Sequence, residues 1–355
     1  MTGPARRGFA SDNYAPAHPD ALAAVAAANE GHAGAYGADP WTARLQGDVR
    51  AAFGDDAVTF PVFNGTAANV LCLHAVCRPW NAAIVTTDAH LHTDECGAPE
   101  AVAGLKLLAV EAPDAKLTPE LAESAVRAVG DEHARQARVV SITQSTELGT
   151  VYAIEEVRAL ADWAHAHDLL LHVDGARLFN AAAALGVDPR AFTTDAGVDL
   201  LSLGGTKAGL LGAEAVVVLR SQGVDHGLKY LRKQTMQLAS KMRYASAQLS
   251  ALLADRLWER TAGHANAMGA RLAAAVADVD GLRITHPVQA SAVFAILPPE
   301  ATARLRERWP FYVWDERTGE VRWMCAWDTT PEDVDAFAAD VRETVAAIAA
   351  PAAAA

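Results

Sequence analysis

Two residues whose chemistry suits a carbonyl cofactor each follow an apolar run that is predicted to form a buried strand. Asp174 lies in the run LLLHVDGARLFNA at 169–181, and Lys207 lies in a glycine-rich turn within 199–219. A carboxylate at the end of a buried strand can pair with the pyridinium nitrogen of pyridoxal phosphate, and a lysine can bind the aldehyde of the same cofactor. The pair therefore predicts an enzyme that acts on a carbon acid.

Apolar runs alternate along the chain with amphipathic stretches, and two of these stretches, 118–136 and 155–167, are predicted to be helices. This order is typical of an α/β fold with helices packed around a mostly parallel sheet. Ligands of such sheets bind at the carboxyl ends of the strands, so we expect the polar segments there to converge on one crevice. The predicted strands are 57–63, 82–87, 105–110, 139–143, 169–173, 200–203 and 213–219, and the polar segments are 64–66, 88–95, 144–147, 174–177 and 206–207.

A chain of 355 residues exceeds what one hydrophobic core usually supports, so two domains are expected. Residues 1–260 are predicted to form an N-terminal segment and a large cofactor-binding domain. Residues 261–355 are predicted to form a smaller α+β domain that ends in a helix near 331–349. The segment DERTGE at 315–320 has the Thr-Gly signal of a hairpin turn.

The composition excludes several classes of partner. A formal net charge of -13 and a pI near 5.3 argue against nucleic acid and anionic membrane surfaces, because both require a basic face. The sequence has no apolar window of membrane-spanning length and no apolar leader, so a cytoplasmic location is expected. The four cysteines are too scattered for a disulfide framework and are expected to be reduced thiols.

The motifs taken together resemble the low-specificity L-threonine aldolases, which are aspartate-aminotransferase-like (fold type I) pyridoxal phosphate enzymes. The run KQTMQLASKMR at 233–243 is similar to that of the subgroup containing phenylserine aldolases. Since fold type I enzymes complete each site with a second subunit, the resemblance implies a homodimer or homotetramer with shared active sites. It rests on FASDNYAPAHPDAL (9–22), YGADPWTARL (36–45), FNGTAANVL (63–71), AHLHTDECGAPE (89–100), LHVDGARLFNA (171–181), LGGTKAG (203–209) and the arginine of EVRWM.

The resemblance implies cleavage of L-threonine, L-allo-threonine, phenylserine or related L-β-hydroxy-α-amino acids to glycine and an aldehyde. Lys207 would bind the cofactor aldehyde, and Asp174 would keep the pyridine nitrogen protonated. Arg177 and Arg322 would bind the substrate carboxylate, with Ser11 close to it. The alternatives are a surface lysine, a helix N-cap for Asp174, a surface salt bridge for Arg322 and a turn serine.

A second set of residues would hold the cofactor phosphate. Gly65 and Thr66 precede a predicted helix at 67–77, and backbone amides at a helix N-terminus bind phosphate. Thr206 supplies a hydroxyl beside the lysine. Arg243 resembles the phosphate-contacting arginine of the family, with a solvated helix charge as its alternative.

His90 is the residue expected to stack on the pyridine ring and to help remove the proton of the β-hydroxyl. An alternative for this segment is a metal cluster, because His90, His92, Asp94 and Glu95 have ligand chemistry. No metal is expected, because no other spaced pair of ligand residues accompanies this segment.

One segment departs from the family pattern. Many members carry Glu-Asn-Thr-His after the fourth strand, whereas this chain has Gln144-Ser145-Thr146-Glu147. Glu147 could therefore act as a base itself or through a water, in place of the family's histidine. Two other functions stay open: a different pyridoxal phosphate enzyme, such as a β-eliminating lyase or a transaminase, and a non-catalytic cofactor-binding subunit.

Overall fold

A large mixed sheet lies at the centre of the computed structural model, which describes residues 7–220, 224–254 and 256–349. Its strands are β1 (Val58–Val62), β2 (Asn81–Thr86), β3 (Lys106–Val110), β4 (Gln136–Thr143), β5 (Leu170–Gly175), β6 (Leu200–Gly204) and β7 (Glu214–Val218). They follow the order β1-β7-β6-β5-β4-β2-β3. Strand β7 is antiparallel to both of its neighbours, β1 and β6, and the other four strand pairs are parallel, so the predicted mostly parallel sheet is confirmed.

Helices cover both faces of this sheet. Successive residues of a strand point to opposite faces, and both faces are apolar here. Leu201 and Val217 pack in one core, and the adjacent Leu200 and Val216 pack in another. Among the residues that the structure describes, none of the helices combines the length and the apolar character of a membrane span. The helices are α1 (Pro19–Ala28), α2 (Pro40–Phe53), α3 (Gly65–Val76), α4 (His90–Thr93), α5 (Ala98–Ala103), α6 (Pro119–Glu123), α7 (Ile154–Ala166), α8 (Leu178–Leu185), α9 (Asp225–Gln234), α10 (Arg243–Ala254), α11 (Leu257–Val276), α12 (Pro299–Arg306) and α13 (Pro331–Ala349).

A second, antiparallel sheet is built from the C-terminal part of the chain. Its strands are β8 (Arg283–Ile284), β9 (Ala292–Ile296), β10 (Tyr312–Asp315) and β11 (Glu320–Met324), in the order β10-β11-β9-β8. The antiparallel pairing of β10 with β11 confirms the predicted hairpin.

The N-terminal segment joins this second sheet. The Phe9 ring stacks on Phe337 with centroids 4.5 Å apart, and the Phe9 carbonyl accepts a hydrogen bond from the amide of Met324. This anchorage places the next residues, Ser11 and Asp12, between the two sheets.

The helix predicted over 118–136 is wrong. Helix α6 ends at Glu123, and the chain then turns through Ala128 and Gly130, both with positive φ. The Gln136 side chain closes this loop, because it accepts from the Gly130 amide and donates to the Ala128 carbonyl. The spacing of apolar residues alone does not predict these backbone turns.

The four cysteines are free, as expected.

A buried histidine beneath Asp174 predicts acid sensitivity. His172 contacts the hydroxyls of Ser141 and Ser202 at 2.8 and 3.0 Å, and burial lowers its pKa to about 4. A histidine in the unfolded chain has a pKa of about 6.5. Between about pH 6.5 and about pH 4, this histidine is therefore protonated in the unfolded state and neutral in the folded state. Stability is therefore full above about pH 6.5 and falls toward pH 4, by roughly 3 kcal/mol at about 1.4 kcal/mol per unit.

The comparison of wild type with His172→Asn isolates this contribution. Urea unfolding at several pH values between 7 and 4 should show the wild type losing its stability advantage as the pH falls. An advantage that stays constant with pH would show that His172 titrates normally.

Candidate active site

The carboxyl ends of the central strands open on a cleft with two connected chambers, of about 640 Å³ and about 300 Å³. Lys207, His90 and Asn13 line both chambers. The first chamber is also lined by Ser11, Asp88, Thr93, Asp94, Glu147, Arg177, Tyr312, Val313, Trp314 and Arg322. The second is also lined by Phe63, Asn64, Gly65, Thr66, Asn69, Glu95, Asp174, Ala176, Thr206, Gly212 and Glu214.

Lys207 lies in a short 3₁₀ turn, Thr206–Ala208, directly after β6. Close backbone packing requires the glycines before it, since a Cβ on Gly204 would approach the Ala176 Cα to 2.7 Å. Buried Glu214 accepts the amide hydrogens of Gly205 and Thr206 at 3.1 and 3.2 Å, and burial raises its pKa. The turn therefore holds Lys207 at the junction of the two chambers.

Asp174 is buried near the end of β5, between Thr143 of β4 and Ser202 of β6 in the strand register. Its Oδ2 accepts a hydrogen bond from Asn69 Nδ2 at 2.8 Å, and its Oδ1 accepts from the Ala176 amide at 3.0 Å. Helix α8 begins later, with Arg177 at its N-cap position. Asp174 is thus not the cap of that helix, and its carboxylate faces the second chamber.

Arg177 forms a buried two-pronged ion pair with Asp12. Its Nε and Nη2 donate to the two carboxylate oxygens at 2.7 and 3.0 Å. Burial would lower the pKa of Arg177, but the Asp12 carboxylate holds it above its ordinary value. Burial would raise the pKa of Asp12, yet Arg177 and Lys207 hold it below its usual range. Both groups therefore stay charged, and Arg177 is fixed at the wall of the first chamber.

Arg322 stands on β11 at the same wall. Its guanidinium lies 4.6 Å from the centroid of the Trp314 ring and donates to the Ala10 carbonyl at 3.2 Å. Burial, reinforced by the charge of Arg177, lowers its pKa to about 10. A buried arginine without an ion pair in the described residues does not fit the surface salt bridge considered for Arg322. The guanidinium groups of Arg177 and Arg322 line this wall together with Ser11, and such a set of donors suits an anion.

His90 is the first residue of the short helix α4, and its imidazole is hydrogen-bonded to Glu95. Its Nδ1 lies 3.0 Å from Glu95 Oε1, which also accepts from Asn69 Nδ2 at 2.8 Å. The hydrogen bond with Glu95 raises the pKa of His90, against the effect of burial. Glu147 is buried, and its carboxylate lines the first chamber with His90 and the two arginines.

The phosphate candidates divide into two groups. Gly65 and Thr66 begin α3 and line the second chamber with Thr206, where a Cβ on Gly65 would meet no atom within 4 Å. Arg243 is not among the residues that line either chamber of its own chain. Its guanidinium donates to the Gly31 carbonyl and lies 5.8 Å from the centroid of Trp41.

The alternative metal cluster finds no support in the described residues, where no group of three or more His, Cys, Asp or Glu side chains is arranged to hold an ion. Glu95 is instead engaged by His90 and Asn69.

Comparisons of this chain with known proteins show which family it belongs to. The family model for β-eliminating lyases matches residues 8–298. The low specificity L-threonine aldolase of Pseudomonas aeruginosa is 44% identical to this chain, over 94% of this chain and 96% of its own length. The chain belongs to the low-specificity L-threonine aldolase family.

Solved structures agree with this membership of the aldolase family. A threonine aldolase from Leishmania major superposes with a TM-score of 0.88 at 28% identity, covering 96% of this chain and 99% of that one. An aspartate aminotransferase from Thermus thermophilus has a TM-score of 0.69 at 17% identity, covering 95% and 90%. The second likeness concerns the fold alone and agrees with the fold type I architecture.

Aldolases of this family depend on pyridoxal phosphate, and the second chamber fits that group. Its lining combines the buried carboxylate of Asp174, the N-terminus of α3 with two threonine hydroxyls, and the amine of Lys207. Two buried oxygens there, Asn69 Oδ1 and Glu95 Oε2, have no hydrogen-bond partner among the described residues. The donor set matches a pyridine nitrogen, an aldehyde and a phosphate.

The sequence did not single out several residues of the cleft. No motif marks Asp12, Asn69 or Glu214, and the sequence indicates Glu95 only as a possible metal ligand. Asn69 carries a usable signal, because it is a polar residue in an apolar helical run. Asp12 meets an arginine 165 residues away, and no local pattern reveals such a pair.

Proposed function

We propose that this protein reversibly cleaves L-threonine, L-allo-threonine and related L-β-hydroxy-α-amino acids, including phenylserine, to glycine and an aldehyde. The observation that carries the proposal is that Lys207 and His90 line both chambers. A lysine at this junction can bind a cofactor on one side and exchange it for a substrate amine on the other. The same histidine reaches the groups that surround the substrate.

The second chamber is proposed to hold pyridoxal 5'-phosphate. Asp174 would pair with the pyridine nitrogen, Lys207 with the aldehyde, and Gly65, Thr66 and Thr206 with the phosphate. The bound cofactor supplies an electron-accepting ring conjugated to the substrate Cα. The chain keeps Asp174 ready for this role by fixing both of its oxygens, through Asn69 and the Ala176 amide.

The first chamber is proposed to bind the amino acid through its carboxylate. Asp12 already takes Nε and Nη2 of Arg177, so we expect the substrate to be bound by Nη1 of that residue together with Arg322. Ser11 supplies a hydroxyl at the same wall. This arrangement fixes the Cα–Cβ bond relative to His90 and Lys207.

Two aromatic side chains, Tyr312 and Trp314, line the first chamber and support phenylserine as a substrate. The Trp314 ring contacts the Arg322 guanidinium and meets the Phe294 ring edge-on, with the two ring centroids 5.5 Å apart. A flat, supported ring of this kind can pack against the phenyl group of a β-substituent.

The proton of the β-hydroxyl is proposed to pass to His90, with Glu147 assisting through its charge or a water. We expect Glu147→Gln to lower kcat for aldol cleavage by about tenfold, while cofactor binding stays intact. Steady-state kinetics and the visible spectrum of the bound cofactor measure the two effects. A loss near 10³-fold would instead make Glu147 the base, and unchanged turnover would remove it from the mechanism.

A homodimer or homotetramer with shared sites is proposed as the working assembly. Arg243 lines neither chamber of its own chain, so its expected phosphate contact could be made only in another copy. Phe63, which lines the second chamber, is half exposed in the single chain and gives such a copy an apolar contact.

The reverse reaction tests the proposed function. Holoenzyme incubated with glycine and benzaldehyde should form phenylserine, because the same groups must return the proton to the oxygen. Formation of no β-hydroxy amino acid from any aldehyde, with the cofactor bound, would contradict the proposal.

A further inference from the structure

A continuous line of buried hydrogen bonds connects His90 with the cofactor-side carboxylate. His90 Nδ1 lies 3.0 Å from Glu95 Oε1, and Asn69 Nδ2 lies 2.8 Å from both Glu95 Oε1 and Asp174 Oδ2. Glu95 and Asn69 are only 4% and 2% exposed, although neither touches the first chamber. Burying two polar side chains is unfavourable unless they are paired, so this line needs a reason.

We propose that Glu95 and Asn69 are positioning residues, which fix His90 as the Nδ1–H tautomer and leave its Nε2 as the base for the β-hydroxyl. The inference rests on the proposed function and adds to it the residues that set the state of the base. Glu95 acts on the imidazole directly. Asn69 acts through Glu95, by holding it beside Asp174.

The directions of the hydrogen bonds support this tautomer. Asn69 Nδ2 can only donate, so Glu95 Oε1 is an acceptor. The other carboxylate oxygen, Oε2, has no partner among the described residues, so a proton placed there would gain no hydrogen bond. His90 Nδ1 must then donate its hydrogen to Oε1. The remaining ring nitrogen, Nε2, is the one without a hydrogen and can accept a proton.

The charges around His90 come from several elements. Glu95 follows α4 and Glu147 follows β4. Asp174 lies on β5, and Lys207 follows β6. Two further carboxylates, Asp88 and Asp94, line the first chamber with His90. Glu95 makes the largest contribution to the raised pKa of His90. Burial raises the pKa of Glu95, whereas its hydrogen bonds with His90 and Asn69 act in the opposite direction. Asn69 therefore favours the ionised carboxylate that His90 requires.

The proton step balances with these residues alone. The O–H bond of the substrate breaks and an N–H bond forms at Nε2 of His90. The electrons of the O–H bond become the carbonyl bond of the aldehyde, and the pair of the Cα–Cβ bond remains on Cα. The resulting imidazolium keeps its Nδ1 hydrogen and is stabilised by Glu95.

The first measurement concerns the wild-type holoenzyme with ¹⁵N-labelled histidine. The His90 signals, assigned by their loss in His90→Asn, should show the Nδ1–H tautomer at high pH and a pKa above that of a free histidine. An Nε2–H tautomer, or a pKa at or below the ordinary value, would overturn the proposal without any variant of Glu95. This result does not depend on turnover, so it is separate from a failure of the aldolase assay.

The second measurement compares Glu95→Gln with the surface control Glu123→Gln. Glu123 also pairs with a histidine, since its Oε2 lies 3.2 Å from His167 Nε2, but it is exposed and outside the cleft. In Glu95→Gln we expect the His90 pKa and the acid limb of kcat to move to lower pH by about one unit. We also expect kcat at its plateau to fall about 10- to 100-fold.

Asn69→Leu should also move the acid limb of the kcat profile to lower pH. Without the hydrogen bond from Asn69, the Glu95 carboxylate takes up a proton more readily and stabilises the His90 imidazolium less. Glu123→Gln should leave the profile unchanged. A Glu95→Gln enzyme whose His90 titration and pH profile match the wild type would overturn the proposal, even if its rate were lower. Should Glu95→Gln fail to fold, the wild-type tautomer decides alone.

Discussion

Lys207→Ala is expected to lose aldol cleavage by a factor of at least about 10⁴, because the variant lacks the amine that is proposed to bind the cofactor aldehyde. The turn that carries Lys207 is held by Glu214 and by close packing of Gly204, so the backbone should keep its place. Rates of aldehyde release measure the effect.

Borohydride reduction gives a readout independent of rate. The wild-type chain should gain the mass of the cofactor after reduction, and Lys207→Ala should not. Lys106→Ala, a change at an exposed lysine on the edge strand β3, is the matched control and should behave as wild type. Full activity in Lys207→Ala would refute the assignment of the lysine.

Asp174→Asn is expected to lower kcat by between about 10²- and 10³-fold, the effect of removing one preorganised electrostatic partner from a site. Asparagine keeps the shape of the side chain but cannot hold a proton on the pyridine nitrogen. The visible spectrum should show a bound cofactor with an altered band. Cofactor affinity is measured by equilibrium dialysis.

Asp162→Asn, at an exposed position of α7, controls for the loss of one charge and should retain full activity. An Asp174→Asn enzyme with wild-type kcat and spectrum would show that the carboxylate is not paired with the cofactor ring. A loss explained by unfolding would be recognised from the unfolding midpoint.

The sequence allowed the central sheet to be predicted because its strands are continuous apolar runs between polar turns. Asp174 and Lys207 belong to such turns, so their shared cleft follows from a general property of parallel sheets. The helix predicted over 118–136 was wrong because turns of the backbone, which the spacing of apolar residues does not reveal, end the helix early. The stretch after Glu123 has helical spacing, yet Gly130 and the Gln136 side chain turn it into a loop.

The buried partners of the predicted residues could not be found in the same way. Arg177 and Asp12 come together only because Phe9 packs into the second core and brings the N-terminal segment between the sheets. Glu95 lies close to His90 in the sequence, but its hydrogen bond to Asn69 depends on how α3 packs on the sheet. Such contacts depend on tertiary structure, and the residue types alone leave them open.

Product analysis from L-threonine is the most direct test of the central claim, that the cleft breaks the Cα–Cβ bond of a β-hydroxy amino acid. Holoenzyme with ¹³C-labelled L-threonine, followed by NMR, should produce glycine and acetaldehyde in equal amounts. Ammonia and an α-keto acid would identify β-elimination, an amino group transferred to the cofactor would identify a transaminase, and unchanged threonine would indicate a cofactor-binding subunit. Each of these results would contradict aldol cleavage.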